Sequence, residues 1–100
     1  MNKMLGIVLL VLLIQVPTKA QEGPVPVLMC NGSTNGCSAY EGEPVNFDAS
    51  LSSTEPGSSI VLYEYDFGDG ATYASATESV VEHSYPDNRL YIATLTVSDN

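Results

Sequence analysis

Positions 45–49 read Val-Asn-Phe-Asp-Ala, so that Val45, Phe47 and Ala49 alternate with Asn46 and Asp48. A period of two marks a strand with one buried face. Residues 91–98 repeat the pattern at greater length, with Tyr91, Ala93, Leu95 and Val97 pointing one way and Ile92, Thr94, Thr96 and Ser98 the other. Residues 60–65 are β-branched and aromatic and predict a strand carrying Val61, Tyr63 and Tyr65 on one face. Residues 25–29 predict a short first strand, reached through an extended stretch at 21–26 whose two prolines oppose helix. Weaker strand material lies in 71–81, and Gly, Ser, Asn, Thr and Pro mark loops at 31–38 and 51–59. No stretch after residue 20 carries helical periodicity. Short strands separated by frequent turn signals predict an all-β sandwich.

The first twenty residues break this pattern. Residues 4–14 form an unbroken apolar run behind Lys3, and Thr18-Lys19-Ala20 ends in the small residue that export cleavage uses. Residues 1–20 therefore read as a secretory signal peptide cut after Ala20. At a rise of about 1.5 Å per residue the run falls well short of a hydrocarbon core of roughly 30 Å, which disfavours the alternative of an uncleaved anchor. No membrane insertion of the mature domain is expected.

Charge narrows the partners. The 100 residues carry 12 Asp and Glu against 3 Lys and Arg, a net of −9. Loss of Lys3 and Lys19 with the leader would leave Arg89 alone against all 12 acids, a net of −11. Such a surface repels phosphate backbones and anionic lipid, so nucleic acid is excluded as a partner. It favours solubility, salt tolerance or cation binding. The mature length supports a single domain with a thin margin.

Cys30 and Cys37 are the only cysteines, and export places them in an oxidising compartment. Gly32 and Gly36 let the chain bend back between them, and a disulfide is expected, with free thiols as the alternative. A zinc site would need more ligands than two cysteines and the distant His83 supply. Met29 is too large for the position before an acylated lipoprotein cysteine. Asn31-Gly32-Ser33 fits the N-glycosylation acceptor pattern, with Asn31 the acceptor in a host that has the machinery.

Asp66-Phe67-Gly68-Asp69-Gly70 is the densest local signal. Its glycines permit positive φ and its aspartates can bond their own backbone. Tyr63-Glu64-Tyr65 precedes it, His83-Ser84-Tyr85 follows, and Glu43-Pro44-Val45-Asn46-Phe47-Asp48-Ala49-Ser50 and Thr94-Leu95-Thr96-Val97-Ser98-Asp99-Asn100 flank the set. In this order and spacing the four pieces resemble the PKD (polycystic kidney disease) domain, an extracellular module with an immunoglobulin-like β-sandwich. Tyr65 stands where that family usually has Trp. The resemblance covers about residues 25–100; after the leader the chain divides into an extended N-terminal segment with the first strand and cysteine loop (21–42) and a main body (43–100). It implies one further strand beyond Asn100. The chain is therefore expected to be an N-terminal fragment of a longer protein, with the 91–98 strand exposing an unpaired edge.

The candidate chemistry is sparse. Asp66 and Asp69 form a carboxylate pair, but in a tight turn without an apolar pocket or partner base they read as turn chemistry. His83 is the only histidine; it reads as a fixed hydrogen-bonding group rather than a proton shuttle, and no Ser/His/Asp set is credible. No cofactor is expected. Calcium is the one ligand these residues suit, with Asp48, Glu55 and Asp99 as candidate oxygen donors if their loops converge. Residues 52–57 lack the Asp-Pro-Asp-Gly common at that place in relatives. The expected role is a non-catalytic, secreted or cell-surface module for adhesion, protein or carbohydrate interaction and domain spacing. The alternative is an accessory domain of an exported hydrolase whose catalytic domain lies beyond residue 100.

Overall fold

A computed structural model describes residues 11–14 and 23–100, which form seven strands and no helix. The strands are β1 (Val11–Ile14), β2 (Met29–Cys30), β3 (Pro44–Asp48), β4 (Ile60–Asp66), β5 (Thr72–Ser75), β6 (Val80–Ser84) and β7 (Tyr91–Asp99). One sheet has the order β1-β7-β4-β5 and the other β2-β3-β6. All pairings are antiparallel except β1 with β7. The all-β, immunoglobulin-like sandwich read from the sequence is the observed fold.

Alternation decides which side chains enter the core. Tyr91, Ala93, Leu95 and Val97 of β7 are buried, as are Val45, Phe47 and the following Ala49 on the opposite sheet. Tyr65, paired with Leu95, is 2% exposed and fills the central position expected of it. Leu28, Cys30, Phe67 and Tyr85 complete the cluster. Apolar area of this kind stabilises by roughly 25 cal/mol per Å2 buried, and β7 supplies four of the buried residues.

Three details depart from the pattern-based reading. Val61 was expected beside Tyr63 and Tyr65, but a register shift between Ile60 and Leu62 turns it out to 43% exposure. An extra residue against the partner strand inverts the alternation locally. The first strand is confined to β2, because Pro24 and Pro26 cannot donate to a ladder. Ser52 replaces the missing ladder there: its hydroxyl accepts the Val27 N–H at 2.9 Å and donates to the Val27 carbonyl at 3.3 Å, beside a Val25–Ser53 bridge.

The third concerns the edge of β7. Its far side is occupied at Tyr91–Thr94 by β1, in a parallel register from Val11 opposite Tyr91 to Ile14 opposite Thr94. A segment that composition sets apart as leader thus supplies an edge strand in the whole chain. Lys3, Lys19 and cleavage after Ala20 lie outside the described residues. Beyond Thr94, β7 has no partner on that side among them.

Candidate functional site

The turn at 66–70 leaves β4 and returns into β5. Each aspartate stabilises it as an Asx turn: Asp66 Oδ1 accepts the Gly68 N–H and Asp69 Oδ1 the Ala71 N–H, both at 3.0 Å. The Phe67 N–H donates to the Ala71 carbonyl at 3.1 Å. Gly68 has φ +85°, and a Cβ there would lie 2.2 Å from the Ile92 carbonyl oxygen. The glycine is required twice, by the left-handed backbone and by the approach of β7.

Aromatic side chains lock this turn to the rest of the sandwich. The Phe67 ring is buried between Phe47, centroid 5.3 Å away, and the His83 imidazole, stacked at 4.0 Å and 4°. His83 Nε2 meets Asp69 Oδ2 at 2.8 Å, tying β6 to the far end of the turn. Tyr85 meets the His83 ring edge-on at 4.7 Å, stacks on Tyr91 at 4.2 Å, and donates its hydroxyl to the Phe67 carbonyl at 2.7 Å. Tyr63 is partly buried and packs on the core; Gly70, at φ +98°, faces open space. The sequence signals at 63–70 and 83–85 therefore converge on one clasp joining both sheets.

The electrostatics of the clasp follow from these contacts. Burial pushes the Asp69 carboxyl up, but the His83 hydrogen bond, the Ala71 N–H and the His83 charge outweigh it and hold it below its ordinary value of 3.8. Burial, reinforced by the charges of Asp69, Tyr91 and Asp66, pushes the Tyr85 hydroxyl above its ordinary range, so it stays a donor. Tyr65 is pushed up to about 12, again mainly by burial, and donates to the Glu78 carbonyl at 3.3 Å. Asp66 and Asp69 each serve the backbone as the sequence reading held. The His83–Asp69 pair was not foreseen. Its only sequence signal is that His83 alternates onto the inward face with Val81, which the pairings Val45–His83 and Phe47–Val81 confirm. Among the described residues no hydrogen bond joins His83 to a serine or threonine hydroxyl, the third member a hydrolytic triad needs.

The remaining candidates are dispersed. Cys30 and Cys37 form the disulfide, with Cα atoms 5.9 Å apart. Asn31 is exposed at the tip of a two-residue turn with φ +49°, closed by reciprocal Cys30–Ser33 backbone bonds. Its Oδ1 accepts the Asn46 N–H at 2.9 Å, which anchors the cysteine loop on β3. Asp48 Oδ1 accepts the Ser50 N–H at 2.8 Å, while Asp99 accepts the Thr54 hydroxyl. Glu55 is exposed in the neighbouring loop. Among the described residues no three His, Cys, Asp or Glu side chains are grouped to hold a metal ion, so Asp48, Glu55 and Asp99 are not brought together as a calcium site.

No curated protein and no solved structure gives a significant match to the chain. A family profile does: the PKD domain, over residues 25–100. That span holds both sheets' inward faces, the 66–70 turn and its His83–Tyr85 lock, and the chain belongs to the PKD domain family.

Proposed function

We propose that the chain is a non-catalytic extracellular module that spaces neighbouring segments and offers its sheet faces to protein or polysaccharide. Modules of this family are generally non-catalytic and typically extracellular. The observation that supports the reading best is the use made of the polar chemistry: Asp66, Asp69, His83 and Tyr85 are all engaged in holding the clasp. A disulfide and an acidic surface suit an oxidising exterior. Residues 1–20 serve as the export signal in this reading, and Asn31 as a glycan acceptor where the host provides the machinery.

The test has two parts. The first 20 residues fused to an alkaline phosphatase reporter should deliver it outside the cytoplasm, with the junction after Ala20 found by N-terminal sequencing. The exported chain should bind to an array of extracellular proteins and polysaccharides and show no hydrolysis of peptide or glycoside substrates. Hydrolysis that tracks the purified chain and disappears in His83→Ala, with the fold retained, would overturn the reading.

A further inference from the structure

The two sheets leave their unpartnered edges on the same side of the sandwich. β5 ends the order β1-β7-β4-β5 and β6 ends β2-β3-β6, and neither has a second partner among the described residues. Residues of both strands line an open groove of about 400 Å3 between them. Phe67 and the His83 ring stacked on it are among its lining residues. Tyr73 and Val80 line it and are 42% and 46% exposed. Glu78 and Glu82 supply its carboxylates. Glu78 is held in place, since its carboxylate accepts the Tyr73 hydroxyl and its carbonyl accepts the Tyr65 hydroxyl.

We propose that this groove docks an extended polypeptide segment bearing lysine or arginine, which adds as a strand along the free edge of β6. Three features select that occupant. The outer edge of β6, a five-residue strand, presents the backbone donors and acceptors of its alternate residues, which an extended peptide satisfies and a compact ligand does not. Tyr73 offers an exposed aromatic ring beside the Glu78 carboxylate, a pairing that attracts a cationic head group. The chain is strongly acidic overall, so a basic segment is steered toward it and an acidic one repelled. The proposal rests on the binding role proposed above and gives it a site and a partner chemistry.

The test titrates the 15N-labelled full chain with three ten-residue peptides of alternating valine and lysine, glutamate or serine. Amide shifts should concentrate in β5 and β6, and the lysine peptide should bind about tenfold or more tighter than the serine peptide, the glutamate peptide not measurably. Methylating alternate backbone nitrogens of the lysine peptide should abolish binding, since strand addition needs its N–H groups. The double variant E78Q/E82Q, exposed and close in shape, should weaken binding several-fold, roughly the range of paired rim charges. Equal affinity of the variant, indifference to methylation, or shifts centred on Glu64 and Asp66 of the outer sheet face would overturn the proposal. So would displacement of the peptide signal by a neutral polysaccharide that itself fills the groove, a result that would leave the binding-module reading standing.

Discussion

Gly68 is where the size of one side chain decides whether the sandwich closes. Its φ of +85° strains any L residue, and an added Cβ meets backbone of Ile92, which cannot swing away as a side-chain tip could. Gly68→Ala should therefore cost about 2–5 kcal/mol, strain and overlap together, in thermal or urea melts. Gly70→Ala is the control: φ is +98° but nothing lies within 4 Å of the new Cβ, so only the strain, about 1–2 kcal/mol, should appear. Tyr85 tests the other half of the clasp. Tyr85→Phe removes the buried donor to the Phe67 carbonyl and keeps both ring contacts, at an expected cost of about 1–3 kcal/mol. Equal stability of this variant and the parent would mean that the carbonyl finds another donor.

At the scale of elements, β6 and the 66–70 turn are coupled through the His83–Asp69 hydrogen bond and the stacked Phe67 and His83 rings. The folded-state Asp69 carboxyl is held below its ordinary value of 3.8, so it contributes stability that is present above that pH and lost as pH falls through the depressed value. Acid melts should show this decline, and Asp69→Asn should flatten it while lowering stability at neutral pH. His83→Ala, which removes the His83 hydrogen bond and charge and leaves the burial and the Ala71 N–H, should bring the folded-state value back toward the ordinary one and flatten the same decline. The cysteine loop makes a second, independent unit, hung on β3 through Asn31 and closed by Cys30–Cys37. The double variant C30A/C37A should lose about 2.5 kcal/mol by the chain-entropy relation for so short a loop. Hydrogen exchange should quicken at β2 while the pairing of β4 with β7 stays protected. Uniform quickening across both sheets would show instead that the disulfide sets global stability.

For the whole molecule, the open question of architecture is the rim of the first sheet. With residues 1–20 present β1 covers Tyr91–Thr94, whereas a chain cut after Ala20 lacks that strand. An exposed edge of this length, carrying Ile92 at 43% exposure, is a template for pairing between chains. Residues 21–100 alone should therefore self-associate more than the full chain in size-exclusion chromatography and melt less cooperatively. A monomeric 21–100 with an equally sharp transition would show that the strands from β2 onward close the sandwich without β1.

Sequence by itself determined the parts governed by local physics. Period-two alternation placed Val45, Phe47, Tyr91, Ala93, Leu95 and Val97 in the core, because a strand's faces follow from side-chain parity alone. Turn chemistry at Asp66, Gly68 and Asp69 was legible for the same reason, since Asx turns and positive φ involve neighbours in the chain. The cysteine pairing was expected from a short spacing, two glycines and an export-type leader, with free thiols as the alternative, and the bridge is present. Only the tertiary structure decided what depends on register and on residues far apart in sequence. Val61 left the core through an irregularity that no local pattern records. His83 acquired Asp69, and Tyr85 the Phe67 carbonyl, because β3 and β6 pair in one particular register. The groove between β5 and β6 exists because two sheets with different strand orders end on the same side, a property of the assembled sandwich that no single strand carries.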